Sequence, residues 1–203
     1  MFLCKESALF FRIKQFFELA NKESKGVTVQ LREYVFKVVV LGDGNVGKTS
    51  LVLQYTEKKF SSSYVMTIGS NFAVKIINLP ERGLKIKFQL WDLAGQPHFQ
   101  FIRPPFYRGA LMAVLVFDIT NRKSFDNISL WVREAKNNVG EIPLVLAGNK
   151  NDLVENRVVS KTEGETLAKE LRTVYYETSA KTGENLDAMM MYCVEEILKR
   201  MTV

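Results

Sequence analysis

The stretch that most constrains the fold of this chain is GDGNVGKT, residues 42–49, which directly follows the apolar run FKVVVL at 36–41. It fits G-x-x-x-x-G-K-[S/T] and lies between a predicted buried strand and a helical segment, the context that this pattern requires. Glycines let the backbone wrap closely around a phosphate, and the N–H groups of a helix N-terminus attract anions. We therefore predict a phosphate loop in which Lys48 contacts the phosphates and Thr49 places its hydroxyl on Mg²⁺. The predicted phosphate-binding residues in this stretch are Gly44, Asn45, Val46, Gly47, Lys48, Thr49 and Ser50.

After residue 33, short apolar strands alternate with helical segments, which predicts an α/β fold. The runs at 111–117 and 143–148 are nearly continuous aliphatic sequence, as in parallel strands that helices cover on both faces. The segments 72–80 and 83–91 are predicted to form a hairpin near the sheet edge, because KIKFQL alternates between apolar and polar residues. We expect a six-stranded, mostly parallel sheet flanked by about five helices.

Two helices are predicted from a cap and from an apolar stripe. Ser160, followed by Glu163, forms a capping box that starts one helix. A second helix ends the chain, where apolar residues recur every three or four positions and include Cys193. The other cysteine, Cys4, is far away in sequence, so a buried thiol without a disulfide is expected, in a reducing, cytoplasmic setting.

WDLAGQ, residues 91–96, closes a further strand and places three useful groups at its end. The carboxylate of Asp92 would hold Mg²⁺ through a water molecule. The backbone N–H of Gly95 would reach a γ-phosphate, and the side chain of Gln96 would orient an attacking water.

NKND, residues 149–152, follows the strand that ends in PLVLAG. The carboxylate of Asp152 can accept hydrogen bonds from both N1–H and the N2 amino group of guanine, a donor pair that adenine lacks. Asn149 would brace this loop against the phosphate loop, and the stem of Lys150 would lie along the base plane. Guanine is therefore favoured over adenine, and a small ATP-using kinase is disfavoured.

ETSAK, residues 177–181, closes the next apolar segment with small residues. They would let the backbone N–H of Ala180 approach guanine O6, while Ser179 and Lys181 tighten the turn. These residues complete the predicted guanine-binding set.

In chain order, these motifs resemble those of small GTPases of the Ras superfamily, and most closely those of the Rab branch. The resemblance runs from Tyr34 to the C-terminus and includes FYRGALMAVLVFDITN at 106–121 and RVVSKTEGETLAKEL at 157–171. It implies a G domain over 34–203, preceded by an extension over 1–33. It also implies a switch that binds GTP or GDP with Mg²⁺ and hydrolyses GTP slowly, in membrane-traffic or signalling regulation.

The resemblance assigns three residues that spacing alone does not. Thr67 would ligate Mg²⁺ and sense the γ-phosphate, Phe60 would stack on the guanine, and Tyr64 would close over the phosphates. The implied catalytic set is Lys48, Thr67 and Gln96, and the implied metal set is Thr49, Thr67 and, through water, Asp92.

The resemblance also implies two segments, 60–72 and 93–108, that GTP orders and hydrolysis releases. An exchange factor, a GTPase-activating protein and effectors would bind there. Pro97 follows Gln96, and a Pro-Pro pair at 104–105 comes soon after, so we predict that the helix of the second segment is short or broken. Gln96 favours hydrolysis, whereas Pro97 leaves open an alternative, a nucleotide-bound scaffold with little hydrolysis.

The N-terminal extension and the two ends of the chain bear on whether the protein would bind a membrane. Apolar residues within 6–20 share one helical face, so this segment would pack on the G domain, lie weakly on a membrane, or act as a disordered or partner-binding arm. Phe2 replaces the glycine needed for myristoylation, and the last ten residues lack cysteine, so no lipid anchor is expected. The net charge of +6 is dispersed without a basic block, so nucleic acid is not an expected partner. The protein would be cytoplasmic or peripheral to a membrane.

Overall fold

The computed structural model describes residues 31–61 and 66–201. The amphipathic helix expected within residues 6–20 and the side chain of Tyr64 both lie outside the described residues. Within the described part of the chain, no helix is long and apolar enough to cross a lipid bilayer.

The described residues form six strands and six α-helices, two of which are about one turn long. The strands are β1 (Arg32–Leu41), β2 (Ser70–Leu79), β3 (Leu84–Leu93), β4 (Met112–Asp118), β5 (Leu144–Asn149) and β6 (Tyr175–Glu177). The helices are α1 (Lys48–Glu57), α2 (Pro104–Tyr107), α3 (Arg122–Asp126), α4 (Ile128–Val139), α5 (Lys161–Glu170) and α6 (Leu186–Met201). Short 3₁₀ helices span Pro80–Arg82, Pro97–Ile102 and Asn151–Asn156.

The strands form one sheet in the order β2-β3-β1-β4-β5-β6. β2 runs antiparallel to β3, and all the other neighbouring pairs are parallel. The six-stranded, mostly parallel sheet and its hairpin are therefore confirmed. Since parallel strands end on the same side, the carboxyl ends of β1, β3, β4, β5 and β6 meet along one edge of the sheet.

Helices cover the two faces of the sheet and bury two apolar cores. Alternate side chains of β1 point to opposite faces: Val38 and Val40 join the core under α1 and α6, whereas Val39 joins the core under α4 and α5. Cys193 of α6 is fully buried in the first core, as predicted. Close packing on both faces holds the sheet in one conformation. The sheet therefore gives the loops at its carboxyl edge a rigid support.

The structure corrects the start of one strand and confirms two local predictions. β1 begins at Arg32, four residues before the apolar run, because the backbone of its polar first half pairs with β3 from Leu84 onward. The capping box at the start of α5 is present, with the Ser160 hydroxyl accepting from the Glu163 N–H at 3.3 Å. The segment after Gln96 is a 3₁₀ helix followed by the four-residue α2, which confirms the short, broken helix expected from its prolines.

Candidate functional site

A cavity of about 440 Å³ lies at the carboxyl edge of the sheet. Most of the residues predicted to bind phosphate, metal or guanine line it: Gly44, Asn45, Gly47, Lys48, Thr49, Ser50, Phe60, Thr67, Gly95, Gln96, Asn149, Lys150, Asp152, Ala180 and Lys181. Three predicted residues lie behind its wall instead, namely Val46, Asp92 and Ser179. Loops separated by more than 100 residues of sequence thus meet around one space.

The phosphate loop lies against the cavity, and its backbone conformation and close contacts leave little room for side chains. Asn45 and Gly47 have positive φ values of 65° and 94°, and α1 begins directly afterwards at Lys48. A Cβ on Gly47 would lie 2.4 Å from Nδ2 of Asn149, so glycine is needed for space as well as for conformation. The helix N-terminus therefore opens into the cavity and supplies N–H groups for an anion.

Lys48 holds a buried cation beside these N–H groups. Its side chain is almost fully buried, and Nζ donates to the carbonyl oxygens of Gly42 at 2.7 Å and Asp43 at 2.8 Å. Burial lowers the pKa of Lys48 to about 8, against the opposing effect of the Asp92 and Asp43 carboxylates. An ammonium has three donors, so one remains for a phosphate oxygen after these two bonds.

Three oxygen-bearing side chains converge beside Lys48. The Thr49 hydroxyl lies 2.8 Å from the Thr67 hydroxyl and donates to Oδ2 of Asp92 at 2.5 Å, while Thr67 Oγ1 lies 3.3 Å from the same carboxylate oxygen. Oδ1 of Asp92 is buried and accepts no hydrogen bond from the described residues. Burial raises the pKa of Asp92, and the nearby Lys48 ammonium partly opposes that effect.

This arrangement fits Mg²⁺ bound together with phosphates. Mg²⁺ prefers oxygen ligands and is commonly held by one or two carboxylates plus substrate phosphates rather than by a cage made only of protein. The described residues contain no cluster of three or more acidic, histidine or cysteine side chains that would form such a cage. The two hydroxyls and the one buried carboxylate would therefore hold the ion only in part, and phosphate oxygens would complete its coordination.

Gln96 follows the end of β3 and faces the phosphate loop. A Cβ built on Gly44 would lie 3.3 Å from Nε2 of Gln96, so the two residues are close neighbours. A Cβ on Gly95 would lie 2.4 to 2.6 Å from backbone atoms of Gly42 and Asp43, which shows how closely this segment crosses the loop. The Gln96 side chain therefore lies next to the phosphate loop.

Asn149 joins the second loop to the first. Its Nδ2 donates to the carbonyl of Val46 at 2.9 Å, and its Oδ1 accepts from Thr178 Oγ1 at 3.2 Å and from the Ala180 N–H at 3.1 Å. One fully buried amide thus ties together three loops at the carboxyl edge. The Ala180 N–H already has this partner, so a guanine O6 would have to share it.

Asp152 and its neighbours form the other wall of the cavity. The buried Ser179 hydroxyl donates to Oδ1 of Asp152 at 2.6 Å, and Nζ of Lys181 lies 3.9 Å from Oδ2. Ser179 therefore orients the carboxylate from behind rather than lining the cavity. Phe60 stands at the cavity mouth, with 44% of its surface exposed.

Two acidic residues that the sequence did not single out support the loops. Asp118, at the end of β4, pairs with Nζ of Lys150 at 2.7 Å and so aligns the lysine stem at the cavity wall. Asp43, within the phosphate loop, accepts from Asn127 at 2.7 Å and from Trp131 Nε1 at 2.8 Å. A carboxylate at a strand end was a usable signal for Asp118, whereas nothing local in the sequence pairs Asp43 with a tryptophan 88 residues away.

Comparison with known proteins gives one family over most of the chain. A sequence model of the Ras family matches residues 37–199. Ras-related protein Rab-10 of Diplobatis ommata is 40% identical over 172 residues, which are 84% of this chain and 85% of that protein. Ras-related protein Rab-13 of Rattus norvegicus is 40% identical over 167 residues, 82% of this chain and 81% of that protein. Ras-related protein Rab-8B of Homo sapiens is 39% identical over 170 residues, 83% of this chain and 81% of that protein. The matched range contains every strand end that forms the cavity.

Proposed function

Because this chain belongs to the Ras family of small GTPases, we propose that its cavity binds GTP or GDP together with Mg²⁺ through the residues described above. The chain is a Rab-like GTPase, a guanine-nucleotide switch that hydrolyses GTP, and its Rab relatives support a role in membrane-traffic regulation. The observation that carries the site assignment is the meeting of the phosphate loop, the Thr49–Thr67–Asp92 oxygens and the Asp152 loop around one cavity.

In this proposal the phosphates lie against the N-terminus of α1. Backbone N–H groups from Asn45 to Ser50 and the Lys48 ammonium bind the phosphate oxygens, and Gly95 adds an N–H for the γ-phosphate. Thr49 and Thr67 give hydroxyl ligands to Mg²⁺, and Asp92 holds it through water. The ion would neutralise charge on the β- and γ-phosphates.

The base lies between the loops that follow β5 and β6. Asp152 accepts from N1–H and from the N2 amino group of guanine, and Ser179 keeps that carboxylate in orientation. The stems of Lys150 and Lys181 and the ring of Phe60 flank the base, since all three line the cavity. Asn149 acts on this site by joining its loops, and the Ala180 N–H serves guanine O6.

Hydrolysis needs a water aligned with the γ-phosphate, and we assign its orientation to Gln96. The sequence between Phe60 and Thr67 contains no arginine that could stabilise the transition state from within the chain. The intrinsic rate is therefore expected to be slow, with a GTPase-activating protein raising it by roughly 10³- to 10⁵-fold.

The nucleotide that co-purifies with the protein tests this proposal. The full-length protein is purified in Mg²⁺ buffer and denatured, and the released nucleotide is identified by ion-exchange chromatography. We expect GDP, which requires both guanine selectivity and hydrolysis. Mostly GTP would contradict hydrolysis while keeping the guanine site, and an adenine nucleotide or none would contradict the assignment of the cavity itself.

Proteins of this family act through exchange factors, activating proteins and effectors, and we propose that these bind residues 60–72 and 93–108. Large apolar side chains in these segments face solvent: Ile68 is 74% exposed and Phe101 is 79% exposed. Phe72 also packs against Trp91, with ring centroids 4.9 Å apart, at the edge of this surface. Exposed apolar side chains that cluster on one surface are typical of protein interaction sites.

Stimulation of hydrolysis by a cell extract tests this surface. We expect Phe101→Glu to keep the intrinsic GTP hydrolysis rate and to lose the stimulation. Met191→Glu is the matched control, because Met191 is also exposed but lies on α6. Equal stimulation of both variants would contradict the proposed surface.

The domain boundary and the extension belong to the same proposal. We assign the G domain to residues 34–203, although β1 already starts at Arg32, and the extension to residues 1–33. A weak contact with the cytoplasmic face of a membrane through residues 6–20 is the localisation we propose. Flotation with liposomes, with and without residues 1–25, tests it, and equal partition of the two forms would exclude the membrane contact.

A further inference from the structure

Arg103 is a buried arginine between the segment that carries Gln96 and helix α4. Only 3% of its side chain is exposed. Nε and Nη2 bind the two carboxylate oxygens of Glu134 at 2.7 and 2.6 Å, and Nη1 donates to the carbonyl oxygens of Ala94 at 3.1 Å and Gln96 at 3.2 Å. The guanidinium therefore holds the backbone on both sides of Gly95 and fastens it to α4.

The neighbours of Arg103 are arranged around its planar guanidinium group, whose N–H donors point in several directions like a fork. The Tyr107 hydroxyl, on a fully buried side chain, donates to the Glu134 carboxylate at 2.8 Å. The guanidinium also lies over the ring of Trp131, with its central carbon 4.6 Å from the ring centroid. A lysine could supply the charge but not the several divergent donors of this fork. The site therefore uses the geometry of arginine and not only its charge.

The segment after Gln96 contains no strand or long helix whose backbone hydrogen bonds would fix it in place. Pro97, Pro104 and Pro105 have no N–H to donate, and the segment forms only a 3₁₀ helix and one short α-helix. The carbonyl of Gln96 accepts one backbone bond, from the Phe99 N–H at 3.1 Å. The Arg103 side chain adds the second bond to that carbonyl and links it to a long helix outside the segment.

The same helix also holds the phosphate loop. Trp131 and Asn127, at the start of α4, donate to the two carboxylate oxygens of Asp43. Trp131 and Glu134 are three residues apart and so lie on one face of α4. One helical face therefore grips the phosphate loop through Asp43 and the Gln96 backbone through Arg103.

We propose that Arg103 is a positioning residue for GTP hydrolysis, which fixes the backbone of Gln96 onto α4 at a set distance from the phosphate loop. This inference rests on the proposed role of Gln96. Arg103 lies behind the segment and acts through Gln96, without touching the nucleotide itself.

The decisive variant replaces the buried polar cluster with apolar side chains, as Arg103→Met, Glu134→Leu and Tyr107→Phe together. Apolar replacement of a buried ion pair commonly leaves stability unchanged or raises it, so this variant is expected to fold. It lacks the tie to the Gln96 carbonyl. We expect single-turnover GTP hydrolysis to fall by roughly tenfold to a hundredfold, as for a small misplacement of a catalytic group. The Kd values for GDP and GTP should stay within about twofold of those of the original protein. The Tm should stay within about 4 °C of its original value.

Arg103→Lys is the second variant, and it keeps the charge beside Glu134. Because lysine lacks the fork, we expect this variant also to hydrolyse GTP more slowly while its nucleotide affinity stays unchanged. Arg133→Lys is its matched control, because Arg133 is exposed on α4, next to Glu134. Gln96→Leu sets the rate that remains when the water is no longer oriented.

The outcomes separate this inference from the proposed function. Hydrolysis within twofold of the original rate in the apolar variant, or in Arg103→Lys if the apolar variant does not fold, would overturn the positioning role. So would a parallel loss of hydrolysis, nucleotide affinity and Tm, which indicates a structural role only. If Gln96→Leu hydrolyses GTP as fast as the original protein, the assignment of Gln96 fails and the inference fails with it.

Discussion

Asp152 lines the cavity, and its two carboxylate oxygens have different neighbours. Oδ1 takes the Ser179 hydroxyl at 2.6 Å, and the nearest cation to Oδ2, on the exposed Lys181, is 3.9 Å away. The Ser179 hydroxyl orients the carboxylate, and in the proposed assignment this carboxylate accepts from the two donors of guanine. If the assignment is right, selectivity for guanine depends on the hydrogen-bond donors that this one carboxylate accepts from.

Asp152→Asn should exchange the base preference of the site. The amide loses an acceptor and gains a donor, so guanine binding loses a charge-assisted bond worth about 1.5–3 kcal/mol, or roughly tenfold to a hundredfold in Kd. Xanthine carries an oxygen where guanine has its amino group and should bind the variant better than guanine does. Titration with fluorescent GDP and XDP measures both constants. Asp126→Asn, at an exposed carboxylate on α3, should change neither.

Lys48 should make nucleotide affinity depend on pH in the alkaline range. Its pKa of about 8 means that the ammonium loses its proton above that pH, whereas phosphates beside it favour the charged form. Binding then takes up a proton, so affinity should fall above about pH 8 by up to about tenfold per pH unit. Measured Kd values for GDP between pH 7 and 10 test this dependence.

Lys48→Arg is the control for that profile. Arginine stays protonated throughout this range, so the variant should bind more weakly overall but with a flatter profile. The guanine ring also loses a proton in alkaline solution, and both proteins share that effect. Parallel profiles would show that Lys48 does not cause the pH dependence.

At the scale of whole elements, the sequence predicted those features that leave a local pattern. Aliphatic runs located the central strands, and the Ser160–Glu163 pair located the start of α5. The first half of β1 was missed, because its exposed residues pair with β3 through the backbone and through salt bridges from Glu33 to Lys85 and Lys87, and these contacts leave no apolar pattern in the sequence. Propensity and periodicity describe side chains, so pairing of this kind remains hidden until β3 is placed beside it.

The support behind the candidate site was also beyond sequence reasoning. The four motifs around the cavity were found because each follows a strand and has a recognisable composition. The pair of Arg103 and Glu134 spans 31 positions, and that of Asp43 and Trp131 spans 88. Such pairs depend on how α4 packs on the sheet, which no single stretch of sequence encodes.

Ser160→Ala should weaken α5 by removing its N-cap. The hydroxyl accepts from the Glu163 N–H, and its loss at an N-cap typically costs about 1 kcal/mol in the free energy of unfolding. Urea denaturation at neutral pH measures the difference. Thr162→Ala, at the second residue of the same helix, removes a hydroxyl without removing the cap and should cost less.

The pKa of Glu163 is lowered to about 2 by hydrogen bonds from the hydroxyl and the N–H of Ser160 and by the Arg122 guanidinium. Its contribution to stability is therefore complete above the usual glutamate pKa of about 4.5 and is lost as pH falls toward 2. The difference in the free energy of unfolding between Ser160→Ala and the original protein should therefore become smaller in acid. A difference that grows below pH 4 would contradict this assignment of the cap.

At the scale of the molecule, ligand and fold should stabilise each other, because the cavity draws on strands across most of the sheet. At 100 times its Kd, Mg²⁺·GDP should add about 2.7 kcal/mol of stability. For a chain of this size that corresponds to a rise in Tm of about 5–10 °C. Differential scanning fluorimetry of the protein stripped of co-purified nucleotide measures the shift, and ADP at equal concentration should give none.

Removal of Mg²⁺ tests the metal part of this stabilisation. EDTA should reduce the GDP-induced shift in the original protein by weakening the contacts around Thr49 and Asp92. Thr49→Ala should already show the reduced shift before EDTA is added and respond less to the chelator. An equal response to EDTA in the two proteins would place the ion elsewhere.

The order in which the cavity walls occur along the chain has a consequence for synthesis on the ribosome. The phosphate loop emerges first, but its brace Asn149 and the Thr178–Ala180 turn that holds this amide lie more than 100 residues later. Helix α6, which seals one core, comes last of the described elements. We therefore expect a nascent chain to acquire the proposed nucleotide site only after the segment that contains Ala180 has left the exit tunnel.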